Sequence, residues 1–480
     1  MVCYIKGIEL LEALPNAKET NVAPSACVNG VFIDSRQVNS GGIFFAIKGK
    51  VHDGHEFVDV ALKRGARIIV VEDLTEEIKS AAQAHDAFYI QVPDTIAALQ
   101  QLAAYRRNNV LSSAKVIAIT GSLGKTSVSR AMGIVLSRFF QTDSSAKSFN
   151  NHIGMPLTLA NASNETKIIV LEMGMNHAGE IDLLGRIAQP DIAVITTIAP
   201  VHIGNFEDGI DGIIAAKTEI FDHLKPNGVV LLNEDGEHFR KLKEIANAKG
   251  IKNIFCVGQT AKSHIFLSHS CLNSLGATEF EMTAREKSGN TVVKGTFNGI
   301  GEHNIINLAF VFMVARMFKI DLKMAASIIS SLSPVEGRGN IEYISFDKKK
   351  VTLINDCYSS NPVALHRSIE ILEQLMEVKG ASRSVCILGD MLELGSYTEE
   401  YHKAILPQLE ASKIDTVITV GENMHHLFEL LPETFSAVHF AHVGLLIKKI
   451  RSLLQDGDMI LIKGSRSMYL NQAVDKLYQS

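Results

Sequence analysis

The octet TGSLGKTS, residues 120–127, sits where an apolar run, "VIAIT", breaks into a glycine-bearing turn followed by a helix-like pattern. Such a turn suits a phosphate. Gly121 and Gly124 let backbone N–H groups approach closely, and a helix starting at Ser127 would aim its dipole at an anion. Lys125 can reach outer phosphates, and the Thr126 hydroxyl can reach Mg2+. Ser122 and Leu123 complete the loop. The strict phosphate-loop spacing wants a glycine five positions before Gly124, where this chain has Ile119, so a shorter loop is expected. The alternative is an ordinary glycine-bearing turn between strand and helix.

A phosphate-bound Mg2+ needs a hard oxygen partner. Glu172 closes the apolar run "KIIVLE" and could supply one from the same sheet edge, the alternative being a helix-capping or surface glutamate. His202 follows the next apolar run in "ITTIAPVHIG", where a structural role and a site role are equally open. Lys217, in "IIAAKTEIF", reads by spacing alone as a solvated helix lysine.

These residues need a scaffold that gathers strand ends. From Val116 onward the runs "VIAIT", "KIIVLEMG", "DIAVITTI" and "GVVLLN" have the continuous apolar character of strands buried on both faces of a parallel sheet. Ligands of such sheets sit at the carboxyl ends of the strands. Before this zone, "GGIFFAI" and "ARIIVVE" alternate with helical stretches, as in a small α/β unit. The basic stretch "YRRNNVLSSAK" reads as a linker. After it, "VTLINDCY", "SVCILGDM", "DTVITVGE" and "DMILIKGS" repeat the strand pattern of a doubly wound domain. The fold expected is therefore α/β with three domains: residues 1–110, 111–332 and 333–480.

Length and composition agree. A chain of 480 residues exceeds what one hydrophobic core usually serves. A net charge of −5 gives no support to nucleic-acid binding. The N-terminal stretch lacks the pattern of a secretory signal, and "LAFVFMVARMF" is interrupted by Arg316 too early to span a bilayer. It is expected to be a buried helix. Six scattered cysteines with no CxxC pair suggest free thiols and a cytoplasmic protein.

The motifs "TGSLGKTS", "NNHIGMP", "LEMGMNHAGEIDLLGRIAQPDIAVITTIAPVHI", "AAKTEIF", "GEHNIINLAF", "GRG", "LGDMLELG" and "IKGSRSM" occur in the order seen in the Mur ligases. The resemblance runs over essentially the whole chain. It implies an N-terminal UDP-substrate domain, a central ATP-binding domain and a C-terminal Rossmann-like domain. "EMGMNHAGEI", "LGDMLELG" and "KGSRSM" are most similar to the member that joins D-alanyl-D-alanine to a UDP-N-acetylmuramoyl-tripeptide through an acyl phosphate.

The resemblance also implies roles. Lys125 and the loop would hold ATP, Thr126 and Glu172 one Mg2+, and His202 a second. Lys217 matches a lysine that carries a carbamate, which overturns the surface reading. Asn304 and Asn307 match adenine contacts, Arg338 a phosphate contact, and Asp356 and Tyr358 the ribose and adenine motif. Asn150, Asn151 and His152 match the stretch beside the muramoyl peptide. Ser35, Arg36, Asp53, Gly54 and His55 match UDP-substrate positions. The motif at 355–359, "NDCYS", departs from the family pattern, and Leu123 replaces a residue that is often polar. A monomer is expected. Two alternatives remain: another ligase of the superfamily, adding a diamino acid or glutamate to a folate, and a nucleotide-binding relative with impaired catalysis.

Overall fold

The computed structural model describes residues 3–49, 51–145, 149–286 and 289–479. Three large sheets follow one another along the chain, besides a two-stranded ladder of Ile5–Lys6 and Cys27–Val28. The first large sheet runs Glu19–Thr20, Phe88–Gln91, Ile68–Val71, Ile43–Phe45, Val31–Phe32, parallel except at its Glu19–Thr20 edge. Ile68–Val71 is buried throughout, as its unbroken β-branched run requires.

The central sheet carries the phosphate-loop candidate. Lys115–Thr120 lies between Ile168–Glu172 on one side and Ile192–Ile195 on the other, all parallel. The chain leaves Lys115–Thr120, visits the edge strand Thr142–Ser144, returns through Ile168–Glu172 and then crosses to Ile192–Ile195. The strand order therefore reverses at Lys115–Thr120, and a crevice opens at its carboxyl end. Val229–Asn233, Asn253–Gly258 and Ile265–Leu272 extend the parallel part, and Thr278–Ala284 and Thr291–Phe297 add an antiparallel edge. The helix Glu302–Met317 buries residues 305, 306 and 308–315 against this sheet, which explains its uniformly apolar sequence.

The third sheet is ordered Asn340–Phe346, Lys349–Asp356, Met459–Lys463, Ser384–Gly389, Thr416–Val420, Ser436–Phe440. Only its Asn340–Phe346 edge is antiparallel. The expected α/β architecture is thus present, with mostly parallel sheets.

Three local expectations are corrected. The basic "linker" is ordered structure that buries its two arginines: Arg106–Val110 continues the helix Thr95–Tyr105 as a π-helical turn. Arg106 and Arg107 are 0% and 1% exposed. Arg106 donates to the carbonyls of Tyr4 and Ala162 and to Asn164 Oδ1. Arg107 donates to the carbonyls of Ala188, Leu111 and Gln189 and faces Asp191 at 3.5 Å. Cys3 and Cys27, expected to stand apart, face each other across the first ladder with their Cα atoms 5.5 Å apart, while the other four cysteines have no cysteine neighbour. The helix after the phosphate loop begins at Lys125, two residues before Ser127. Among the described residues, no helix is long and apolar enough to cross a membrane.

Candidate active site

Gly121 and Gly124 are required by the loop they form. Both have positive φ, +142° and +82°. A Cβ on Gly121 would lie 2.0 Å from Thr196 Oγ1, and one on Gly124 would lie 2.7 Å from the Asn307 amide oxygen. The loop is pinned to the end of Ile192–Ile195. The amides of Ser122 and Leu123 both donate to Thr197 O, at 2.6 and 3.4 Å, and Ser122 Oγ donates to Ala199 O. Those two amides are therefore occupied by the protein. The N–H groups left for an anion are those of the first turn of Lys125–Ser137, which have no intrahelical acceptor. Lys125 Nζ folds back onto Gly121 O at 2.7 Å and Ser122 O at 3.3 Å. Burial lowers its pKa, with Glu172 opposing and Arg338 adding to the shift.

The carboxyl end of Ile168–Glu172 brings Glu172 beside the loop. Its Oε1 accepts from Thr126 Oγ1 at 3.1 Å and from Asn150 Nδ2 at 2.7 Å. Its Oε2 is buried without a partner among the described residues. A carboxylate oxygen left so is costly unless a cation meets it. With the Thr126 hydroxyl beside it, this carboxylate offers oxygen ligands to a hard divalent ion, and Lys125, one residue away, is placed for the phosphate.

Two adjoining cavities share this floor. One, of about 320 Å3, is lined by Gly121, Ser122, Lys125, Asn150, Asn151, His152, His202 and Lys217. The other, of about 260 Å3, lies between the central and C-terminal sheets. Its walls include residues 122–126, Glu172, His202, Arg338, Tyr358, Glu393 and Arg466. Lys217 is 3% exposed, and no described residue hydrogen-bonds its amine. Burial, reinforced by Lys125, drives its pKa well below the ordinary lysine value. His202 meets Glu393 through Nδ1. Burial lowers the imidazole pKa, and Glu393 opposes that.

The other predicted residues divide. Arg338 reaches Thr126 Oγ1 with Nη2 at 3.3 Å and lies 4.3 Å over the Tyr358 ring. Ser127, Asn304, Asn307 and Arg338 surround a crevice of only about 30 Å3, which Arg130 bridges by donating to Ser333 O. Asp356 is not a wall of either cavity; it accepts from Lys463 Nζ at 2.8 Å and Ser368 Oγ at 2.6 Å. Asn151 caps the helix Gly154–Asn161 through the Gly154 amide. In the first domain, Ser35, Arg36 and Gly54 line a separate cavity of about 510 Å3. Asp53 and His55 do not line it. They bond each other, and His55 Nε2 accepts from the Glu72 amide.

Sequence reasoning missed Glu393 and Arg466. Both lie in stretches already singled out, "LGDMLELG" and "IKGSRSM", but only the third sheet's strand order brings those stretches together at one edge. Arg466 donates to the Tyr358 hydroxyl at 2.9 Å, and its guanidinium lies 4.9 Å from that ring.

A glycine-bearing loop at the switch point of a parallel sheet, faced by a second doubly wound sheet, defines a class: multidomain α/β proteins of the phosphate-loop type. Comparison with known proteins sharpens this. Residues 28–107 match the Mur ligase family catalytic domain, 119–315 the Mur ligase middle domain and 341–466 the Mur ligase glutamate ligase domain. The UDP-N-acetylmuramoyl-tripeptide–D-alanyl-D-alanine ligase of Rickettsia prowazekii (strain Madrid E) is 31% identical over 454 residues, 95% of this chain and 96% of that one. The enzyme of that name from Bacillus subtilis (strain 168) is 31% identical over 463 residues, 94% of each chain. A crystal structure of MurF from Acinetobacter baumannii superposes with a TM-score of 0.82 at 27% identity, covering 99% of both chains. The chain belongs to the Mur ligase family, whose members are ATP-dependent, ADP-forming ligases.

Proposed function

We propose that this chain joins D-alanyl-D-alanine to a UDP-N-acetylmuramoyl-tripeptide, consuming ATP and releasing ADP and phosphate. The observation that carries the reading is the convergence of Lys125, Thr126, Glu172, His202 and Lys217 on two adjoining cavities, in a chain similar along its length to ligases named for that reaction. In this reading the tripeptide carboxylate attacks the γ-phosphorus of ATP and ADP departs. The dipeptide amine then attacks the acyl carbon, and the tetrahedral adduct collapses with loss of phosphate.

Two anions must meet in the first step, so fixed positive charge is the chief requirement. Lys125 and the first-turn amides of its helix bind the triphosphate, and Arg338 approaches from the hinge. Thr126 and Glu172 would hold Mg2+, whose role is to neutralise phosphate charge. His202 would hold a second ion, supported by Lys217 as its carbamate. The structural support for the carbamate is a buried amine, bonded by no described residue, with a depressed pKa, because only the neutral amine adds CO2. Asn304 and Asn307 take the adenine once the crevice beside them opens, and Tyr358 borders the ribose, with Asp356 behind the wall, held by Lys463 and Ser368. Asn150, Asn151 and His152 flank the peptide.

The acceptor brings a carboxylate of its own. Lys125 and Lys217 are enclosed and Arg338 is turned to Thr126, whereas Arg466 is an exposed cation on the cavity wall. Arg466 is the group assigned to that carboxylate. Residues 1–110 would anchor the UDP-substrate through Ser35, Arg36 and Gly54, with Asp53 and His55 bracing the loop. Residues 111–332 and 333–480 would enclose ATP. In this reading the chain is a monomer acting in the cytoplasm, where ATP and a UDP-linked substrate are at hand. The test is a ligation assay with purified protein, ATP, UDP-muramoyl-tripeptides ending in diaminopimelate or in lysine, and a panel of amines. Incorporation of D-Ala-D-Ala supports the reading; incorporation of a diamino acid or glutamate in its place defeats it.

A further inference from the structure

Glu393 reaches from the third sheet into the central one. It follows the strand Ser384–Gly389, and its carboxylate meets His202 Nδ1. Its carbonyl accepts from the Gly204 amide at 3.3 Å. Beside that bond the two backbones touch: a Cβ on Gly204 would lie 2.6 Å from Gly395 N, and one on Gly395 would lie 2.7 Å from Gly204 Cα. Both facing residues adopt a left-handed backbone that non-glycine residues rarely take, with φ of +60° at His202 and +64° at Glu393. Such conformations persist only where the surroundings over-determine them, and they cluster at working sites. The surroundings here do so. His402 Nε2 accepts from the Met391 amide at 3.1 Å while its Nδ1 faces Thr398 O at 2.6 Å. Ser465 Oγ accepts from the Leu392 amide at 2.9 Å. The backbone leading to Glu393 is thus held by its own domain.

We propose that Glu393 is a positioning residue for His202: its carboxylate accepts a hydrogen bond from Nδ1–H, which fixes the ring and presents Nε2 as an acceptor on the cavity shared with Lys125 and Lys217. The nitrogen not used in the bond is the one left to work, a logic general to histidines oriented by carboxylates. Because Glu393 belongs to the C-terminal domain, His202 is held only while that domain is docked, and docking becomes a condition for turnover. The proposal rests on the ligase reading of the cavity.

The experiment compares wild type, E393A, E393Q and E393D by two readouts. The first is the 15N spectrum of histidine-labelled protein without substrates, with the His202 signal assigned by its loss in H202N. The second is steady-state ligation. The expected result is an Nδ1-protonated tautomer at His202 in wild type that is lost in E393A. With it kcat falls about 10- to 100-fold, while KM for ATP and for the acceptor stays within about threefold. E393Q, whose amide oxygen can accept the same bond, keeps the tautomer and recovers part of the rate. If E393A does not fold, E393D makes the same test, since it withdraws the carboxylate by one methylene. An unchanged tautomer, an unchanged kcat, or an effect confined to the acceptor KM overturns the proposal. A wild type that ligates nothing sinks the ligase reading, and the tautomer comparison still decides the pairing.

Discussion

Lys217 keeps an amine where an ammonium is costly. Its enclosure and the neighbouring Lys125 lower its pKa, whereas in the unfolded chain it titrates as an ordinary lysine. Between the folded and unfolded values the unfolded state binds the extra proton, so stability rises with pH through that window and is lost as pH falls through the folded value. Urea melts across that range should show this slope in wild type and a flatter one in K217M. Carbamate formation follows the same amine. Ligase activity should rise with added bicarbonate, more so as pH passes the depressed value, and K217A should not respond. Lys125 is tested more bluntly: K125A should lower D-Ala-D-Ala-dependent phosphate release at least about 100-fold, and near-normal turnover would remove the phosphate-loop assignment. For Arg466 the probe is the acceptor. Wild type should prefer D-alanyl-D-alanine over its C-terminal amide, and R466A should raise KM for the acid while losing that preference. Equal use of both acceptors by wild type would take the carboxylate role from Arg466. Of these residues, Lys125, Thr126 and Glu172 were legible because each adjoins an apolar strand. Lys217 was not, since helix spacing cannot show what encloses a side chain; only family resemblance pointed to it.

Elements carry the site by fixing where loops leave the sheets. The loop at residues 390–395 depends on His402, which is buried, bonded through both ring nitrogens and lowered in pKa by its burial. It folds neutral. Below the ordinary histidine range the unfolded state takes up a proton that the folded state refuses, so this contribution to stability is present above about pH 6.5 and is lost as pH falls below it. Thermal melts should show an acid loss in wild type that is weaker in H402Q, and identical pH profiles would count against the role. The buried turn at residues 106–110 makes a contrasting prediction. R107A leaves the buried carbonyls of Ala188 and Leu111, and that of Gln189, without their donor, while Asp191 keeps Lys115 at 2.8 Å, and should cost about 1–3 kcal/mol in chemical denaturation. R130A, on an exposed bond, should cost under about 1 kcal/mol. The strands of the parallel sheets were readable as unbroken apolar runs. The strands from 265 to 297 were not, because "IFLSHSCL" and "TEFEMTA" mix polar with apolar residues as an antiparallel edge permits. The "YRRNN" stretch misled for a related reason: a basic run normally faces water, and the carbonyls that satisfy it come from residues up to 102 positions away.

At the scale of the molecule, the working cavity is shared by two sheets, and one of its contacts, His202 with Glu393, joins residues 191 apart in sequence. No local pattern reveals such a pairing, which is why Glu393 and Arg466 on the C-terminal wall were not legible, although the family resemblance reached Arg338 and Tyr358 on the same wall. In the proposed reading the adenine enters the crevice beside Asn304 and Asn307, which at about 30 Å3 is too small for a purine ring, so nucleotide binding would then require movement between the central and C-terminal parts. Small-angle scattering should register a change when an ATP analogue and UDP-tripeptide are added together, and an unchanged profile would contradict domain rearrangement. The central claim, that the phosphate loop exists to activate a carboxylate for one particular amine, is tested most directly by phosphate release. With ATP and UDP-muramoyl-tripeptide present, release should depend on D-Ala-D-Ala and match the UDP-pentapeptide formed one for one. Release that ignores the dipeptide, or a product carrying a different amine, would contradict it.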